Sequence, residues 1–138
     1  MLIAELERRL KNIRALCEVL RITKRMVDSF SMSARDILNK LPRELMNDCG
    51  YSKAAAPQGF CDFAVACEVC DQEAKEILLE FATAFGKSYR TEQIRQCEYY
   101  VERMSERESE ISQKLPVQKK LVLTLALSVT LMLVILLI

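Results

Sequence analysis

The C-terminal segment Leu121–Ile138 reads LVLTLALSVTLMLVILLI and contains no charged residue, no proline and no glycine. At a rise of about 1.5 Å per residue, a helix of this length extends about 27 Å, close to the membrane's hydrocarbon thickness of about 30 Å. Its hydroxyl side chains, Thr124, Ser128 and Thr130, can bond to carbonyls of their own helix. The alternative is a buried core helix, but such a helix normally keeps a polar face. The segment therefore predicts a transmembrane anchor.

Three lysines, Lys114, Lys119 and Lys120, precede the apolar segment, and no basic residue follows it. By the positive-inside rule, the rest of the chain is expected to be cytoplasmic and the C-terminus to lie across the membrane. The sequence as given thus predicts a single-pass protein of the cell membrane. A second basic group, Arg8, Arg9 and Lys11, either faces solvent or contacts lipid headgroups.

Bulk composition excludes several classes of function. The 138 residues include 20 Lys and Arg against 19 Asp and Glu, so the clear basic excess typical of nucleic-acid binding is missing. The absence of histidine excludes imidazole catalysis and His-ligated metal sites. Because nothing in the sequence assembles a nucleophile, a base and an oxyanion donor, we expect no enzyme, no cofactor and no small-molecule substrate.

Two long amphipathic helices are expected to pack against each other. The first spans 2–30, has Lys24 within its apolar stripe, and carries Asn12 on the polar face that we expect to be solvated. The second spans 92–115, has Glu108 within its stripe, and is expected to be capped by Thr91. Their apolar stripes consist of Leu2, Leu6, Leu10, Ile13, Cys17, Leu20, Val27 and Phe30, and of Ile94, Cys97, Val101, Met104, Ile111 and Leu115.

Shorter helices are expected between these two. Ser33 caps a helix that ends at Leu41, Pro42 precedes a helix over 43–48, and residues 50–59 form a loop. Further helices are predicted over 60–70 and from Asp71, as a cap, to a stop at Gly86.

The predicted fold is therefore all-α, an antiparallel bundle of about six helices with a C-terminal transmembrane helix. Its parts are a cytosolic bundle over 1–115, a basic joint over 116–120 and the anchor over 121–138. Pro116 either begins the membrane helix or lies at a kink in a continuous one.

Four cysteines, Cys49, Cys61, Cys67 and Cys70, leave an alternative function open. Zinc accepts four thiolates in a tetrahedral site, so the chain could be a tail-anchored cytosolic zinc or thiol-based binding protein. However, only one CxxC pair is present, and it lies in a predicted apolar helix. Reduced, buried thiols fit this sequence better.

The second half of the chain, from FATAFGKSYRTEQ to the terminal apolar run, resembles the C-terminal region of the stage III sporulation protein AB family. The stretch ERRLKNIRALCEVLR is similar to that family's first cytosolic helix. The matching positions of the second half are Phe85, Gly86, Ser88, Gln93, Lys119, Lys120 and Met132 to Ile138.

The resemblance implies a six-helix antiparallel bundle related to the cytosolic domains of type II secretion F-type platform proteins. It also implies a non-enzymatic scaffold of the channel that the mother cell builds in the membrane around the forespore. The implied partners are the lipid bilayer and other channel proteins, including a secretion-type ATPase. We expect membrane contacts at Arg8, Arg9, Lys11, Lys114, Lys119 and Lys120, and partner contacts at Phe85, Gly86, Lys87 and Ser88.

One departure from the family pattern concerns the N-terminus. The family begins with a membrane helix, whereas this sequence starts at Met1 in the cytosolic helix. Either the anchor is single or the start of the gene was placed too late, and the second explanation is the expectation here. The helix connections near 41–48 and 85–89 are expected to lie away from the anchor or beside it.

Overall fold

Two long helices frame the molecule, and four shorter ones pack against them. The computed structural model describes residues 2–30 and 32–138, so Met1 and Ser31 lie outside the described residues, as do the side chains of Leu2 and Phe30. The described residues form six helices, and the all-α prediction is confirmed. They are α1 (Leu2–Phe30), α2 (Ala34–Asn39), α3 (Arg43–Asp48), α4 (Phe60–Ala66), α5 (Gln72–Ala84) and α6 (Arg90–Leu137).

The helices α1 and α6 pack side by side in opposite directions. Lys24 Nζ lies 3.3 Å from Glu98 Oε1, and Arg14 Nε lies 3.2 Å from Glu108 Oε1. A later residue of α1 therefore contacts an earlier residue of α6, so the two helices are antiparallel. The charges Lys24 and Glu108, which interrupt the two apolar stripes, each pair with the opposite helix.

The core lies where α1 and α6 meet the short helices. Each fully buried large aliphatic side chain contributes roughly 1.5–3 kcal/mol to stability. The predicted stripe of α6 is confirmed, since Cys97, Met104 and Ile111 are buried while Ile94, Val101 and Leu115 are partly buried against the core. The buried residues of α1 include Leu6, Leu10, Ile13, Leu16, Cys17, Val19, Leu20 and Val27.

An aromatic cluster joins α4, α5 and α6. The Phe60 ring lies 5.0 Å from Phe81 and 4.6 Å from Phe85, and Phe81 lies 5.7 Å from Tyr100, measured between ring centroids. Edge-to-face pairs at these separations add about 0.5–1.5 kcal/mol each to the burial of the rings. The cluster packs α4 and α5 against the part of α6 around Tyr100.

The helix predicted over 60–70 ends four residues earlier than expected, at Ala66. Cys67 is extended, the Glu68 N–H donates to the Gly50 carbonyl at 3.0 Å, and the Cys70 N–H donates to Asn12 Oδ1 at 3.0 Å. These backbone N–H groups bond to partners that are distant in sequence, and not to the carbonyls four residues earlier. The helix therefore does not continue past Ala66. The Lys75 ammonium completes the end of α4 by donating to the Cys67 carbonyl at 2.6 Å.

The N-terminal ends of α2 and α5 follow the predicted capping, whereas α2 ends at Asn39, two residues before the predicted Leu41. The Asp36 N–H donates to Ser33 Oγ at 3.3 Å, and the Ala74 N–H donates to Asp71 Oδ2 at 3.0 Å. The predicted cap at Thr91 is wrong, because α6 begins at Arg90 after the extended residue Tyr89. The Gln93 N–H already donates to the Tyr89 carbonyl at 2.8 Å, which starts the helix two residues early.

The helix α6 continues without a break through Pro116. Of the two alternatives for this residue, the structure therefore has the proline inside a continuous helix. The segment 116–120, expected as a joint, is part of the same helix. Proline lacks the N–H that would bond four residues back, so the Ser112 carbonyl loses that helical partner.

The three glycines differ in how strongly their backbone conformation and surroundings require glycine. Gly50 has φ +90°, and a Cβ there would lie 2.4 Å from the Glu68 carbonyl oxygen, whereas Gly86 has φ +84° with open space and Gly59 has neither restriction. We expect Gly59→Ala to change the free energy of unfolding by less than about 0.5 kcal/mol and Gly86→Ala to cost about 1–2 kcal/mol. Gly50→Ala should lower the free energy of unfolding more than Gly86→Ala does. At Gly50 the strain of the positive φ and the clash of the new Cβ with the Glu68 carbonyl act together. Denaturant titration in detergent micelles checks this order, and equal losses at Gly50 and Gly86 would contradict it.

Candidate functional site

The apolar end of α6 projects from the bundle and is exposed along its whole length. Among the described residues, α6 is the one helix long and apolar enough to cross a membrane, with a mean hydropathy of 2.5 over its best 18-residue window. The hydroxyls of Thr124, Ser128 and Thr130 each donate at 2.9 Å to the carbonyl four residues earlier. Their polar groups are therefore satisfied within the helix, which suits a hydrocarbon environment.

The structure brings the two predicted basic groups to the same end of the bundle. Because α1 is antiparallel to α6, its first turns lie beside the residues that precede the apolar span. Glu7 Oε1 of α1 lies 3.4 Å from Lys119 Nζ of α6. Arg8, Arg9 and Lys11 thus lie near Lys114, Lys119 and Lys120, although membrane contact itself remains a prediction.

Three of these six basic side chains already have acidic partners. Arg9 pairs with Glu5 at 2.8 Å, Lys11 with Asp48 at 3.4 Å, and Lys119 with Glu7 at 3.4 Å. In the part of the chain that the structure describes, Arg8, Lys114 and Lys120 form no ion pair. This end of the bundle therefore keeps an excess of positive charge next to the apolar span.

Asn12 connects this end of α1 to two other segments. Its Nδ2 donates to the Asp48 carbonyl at 2.7 Å, and its Oδ1 accepts from the Cys70 N–H at 3.0 Å. The side chain is buried, so the expectation of a solvated Asn12 is wrong. The partner groups lie far away in sequence, and the helical period alone gives no sign of them.

A buried ion pair fixes α5 to α6. Arg107 Nη2 donates to Asp71 Oδ1 at 2.7 Å and Arg107 Nε donates to Asp71 Oδ2 at 2.8 Å, which is bidentate geometry. The Asp71 side chain is 2% exposed and that of Arg107 is 14% exposed. The sequence predicted Asp71 as a cap but did not indicate Arg107 as its partner. No local pattern identifies a partner 36 residues away.

The charge state of Asp71 follows from its partners. Burial alone would raise the pKa of this carboxyl, but the Arg107 hydrogen bonds, the Ala74 N–H and the charge of Arg107 together lower it below its usual value. The same contact raises the pKa of Arg107. Both groups are therefore ionised at neutral pH.

We expect Asp71→Asn to lower the free energy of unfolding by about 3 kcal/mol, because it leaves the half-buried Arg107 charge without its main partner. Glu73→Gln is the matched control. Glu73 also lies 3.0 Å from Arg107 but is 53% exposed, so its loss should cost less than about 1 kcal/mol. Denaturant titration of both variants measures the difference, and an equal cost would contradict the assignment.

The stability difference between wild type and Asp71→Asn should also depend on pH. Since folding lowers the pKa of Asp71, its contribution is present above the ordinary value of 3.8 and is lost as the pH falls through the lowered folded value. Titration of both proteins from pH 7 downward should show their stabilities converging below that range. A constant difference at all pH values would exclude ionised Asp71 as the cause.

The connection 85–89 lies at the opposite end from the membrane span. Arg90 to Leu121 covers about 46 Å of helix at 1.5 Å per residue. The Gly86 N–H donates to Gln93 Oε1 at 2.7 Å, and Gln96 Nε2 lies 3.4 Å from Ser88 Oγ. Of the four predicted partner contacts, Gly86 and Lys87 are exposed, Ser88 is half-buried, and Phe85 packs into the aromatic cluster.

The connection 41–48 lies toward the membrane end, since the Asp48 carbonyl bonds to Asn12 and the Asp48 carboxylate pairs with Lys11. The two helix connections are therefore separated along the bundle. Of these two connections, 85–89 is the one that lies away from the anchor.

The four cysteines of the zinc alternative are not brought together. Cys49 and Cys67 are buried neighbours, whereas Cys61 contacts the Ala82 carbonyl at 3.5 Å and Cys70 is exposed. Across residues 2–30 and 32–138, no group of three metal-ligating side chains occurs. Burial raises the pKa of Cys67 to about 12, and those of Cys17 and Cys97 to about 11, so these thiols stay protonated and unreactive at neutral pH.

This arrangement predicts that chelation leaves the protein folded. We expect purified protein to contain far less than one zinc per chain, and its melting temperature to be unchanged by a strong chelator. Metal analysis with a thermal melt checks both points. One zinc per chain, with unfolding on chelation, would support the zinc alternative instead.

Comparison with known protein families finds a match for the second half of the chain. The family model for stage III sporulation protein AB matches residues 67–138. The matched region begins directly after α4 and includes the Asp71–Arg107 pair, the lysines 114, 119 and 120, and the apolar span. No curated protein and no solved structure shows significant similarity to the chain.

Proposed function

Because the chain belongs to the stage III sporulation protein AB family, we propose that it is a non-enzymatic membrane scaffold of the mother-cell to forespore channel. The bundle lies on the cytoplasmic, mother-cell side of the membrane around the forespore. The apolar span of α6 anchors it there. The protein's task is to hold a partner at a set distance from that membrane.

The observation that carries this proposal is the continuity of α6. One helix of 48 residues both forms the bundle's central contact and extends through the apolar span. The Glu7–Lys119 pair joins α1 to α6 on the membrane side of Pro116. The orientation of the apolar span in the membrane therefore determines the orientation of the whole bundle.

The basic end of the bundle favours contact with an anionic leaflet. Each basic residue near such a surface contributes about 1 kcal/mol. Arg8, Lys114 and Lys120 are best suited, because they form no ion pair within the described residues. Arg9, Lys11 and Lys119 support the contact while also holding their acidic partners.

The far end of the bundle is the proposed contact for a secretion-type ATPase or another channel protein. The connection 85–89 stands about 46 Å from the start of the apolar span. Lys87 and Tyr89 are exposed there, and hydrogen bonds to Gln93 and Gln96 hold the connection on the first turns of α6. A partner bound there would be positioned by the same helix that enters the membrane.

The native thiols allow a direct test of this placement. Cys61 and Cys70 are exposed on the bundle, so a membrane-impermeant maleimide reports the side on which it lies. In intact sporulating protoplasts the wild type should stay unlabelled until the membrane is permeabilised. Labelling without permeabilisation would contradict a cytoplasmic bundle.

The lysines that set this placement can be tested in the same assay. We expect Lys114→Glu combined with Lys120→Glu to mislocalise a substantial fraction of the chain and to reduce spore formation, because positive charge next to the span is reversed. The control combines Arg35→Glu with Lys40→Glu, an equal change of charge at exposed positions away from the span and from the 85–89 connection. Normal labelling and normal spore yield in the first variant would count against the proposal.

A further inference from the structure

The outer side of α1 carries a basic stripe. Positions 11, 14, 18, 21 and 25 follow one another at steps of three or four residues, so they share one face of the helix. Glu18 lies among them and pairs with Arg25, while Lys11 pairs with Asp48 and Arg14 with Glu108. The three basic side chains of these pairs stay more than half exposed, and Arg21 forms no ion pair within the described residues. The α1 basic stripe consists of Lys11, Arg14, Arg21 and Arg25.

The outer side of α6 carries an acidic stripe at spacings of four. The α6 acidic stripe consists of Glu98, Glu102, Glu106 and Glu110, all exposed. Glu98 pairs with Lys24, and Glu110 with Arg107. In the described part of the chain, Glu102 and Glu106 at the centre of the stripe form no ion pair.

The neighbouring face of α5 extends this acidic surface. Glu73 and Glu80 lie along the seam between α5 and α6, where they pair with Arg107 and Arg103. Glu76 lies between them on the same exposed face. The two arginines are committed to these pairs, so the surface as a whole remains negative.

The two stripes lie at the same height along the bundle. Arg14 is level with Glu108, and Lys24 is level with Glu98, because these residues contact each other across the helix pair. The α1 basic stripe therefore spans the level of the α6 acidic stripe. Since α6 continues into the apolar span, every copy anchored in one bilayer presents both stripes at one distance from the membrane.

From this match of charge and height, we propose that the partner of these stripes is a second copy of the chain. The α1 basic stripe of one copy contacts the α6 acidic stripe of a neighbour in the same membrane. Because the stripes lie on different faces, each copy keeps one stripe free, and the contact can repeat. The inference rests on the membrane anchoring of the proposed function.

Membrane confinement makes such a contact effective. Exposed ion pairs are individually weak in solution, and salt screens them further. Copies held in one bilayer at a common height meet at a much higher effective concentration than free proteins do. The complementary charges then select the orientation of the neighbour.

The test uses energy transfer between donor-labelled and acceptor-labelled full-length chains in lipid vesicles. Arg21→Glu with Arg25→Glu, and Glu102→Lys with Glu106→Lys, should each weaken self-association about tenfold, because attraction becomes repulsion. When the two variants are mixed, opposite stripes face each other again and energy transfer should return. Recovery on mixing also shows that neither variant has simply misfolded.

The control combines Arg35→Glu on α2 with Lys40→Glu at its C-cap, which changes the charge equally outside both stripes and should keep the wild-type signal. Wild-type energy transfer at the random level, in chains that float with the vesicles, overturns self-association and leaves the anchoring intact. Chains that do not float with the vesicles overturn the anchoring and this inference together. Unchanged transfer in both stripe variants, or no recovery on mixing, overturns the stripes as the contact.

Discussion

The rest of the structure depends on the buried contact between Asp71 and Arg107. Asp71 ends the turn after α4, caps α5 and holds α6 through two hydrogen bonds. The helices α5 and α6 therefore take their relative positions from one carboxylate. Replacing such a pair by apolar residues is often neutral, but removing one partner leaves a buried charge, so the contact strongly favours this one arrangement.

The second constraint is the continuity of α6 across the membrane boundary. A soluble bundle on a loose tail would rotate freely over the lipid surface. Here the same helix supplies Cys97, Met104 and Ile111 to the core and the apolar span to the membrane. The antiparallel α1 places its basic first turns beside the part of α6 that precedes the apolar span. The basic residues, the core and the apolar span therefore follow one another along α6.

The sequence predicts the features that depend on local periodicity and capping. The ends of α1 and α3, the caps Ser33 and Asp71, and the apolar span all follow from patterns within a few residues. The early end of α4, the buried Asn12 and the Asp71–Arg107 pair do not, because each depends on a partner dozens of residues away. The two basic groups near the apolar span are recognisable in the sequence, but only the antiparallel packing of α1 and α6 brings them to one end of the bundle.

The most direct test of the account is a distance measurement between the bundle and the anchor in a bilayer. One spin label on native Cys61 and a second at Leu127→Cys, with Cys70 replaced by Ser, span the Asp71–Arg107 contact, Pro116 and part of the apolar helix. A rigid connection predicts a single narrow distance distribution that broadens in the Asp71→Asn variant. A broad distribution in the wild-type background would show that the bundle pivots on its anchor and would contradict the account.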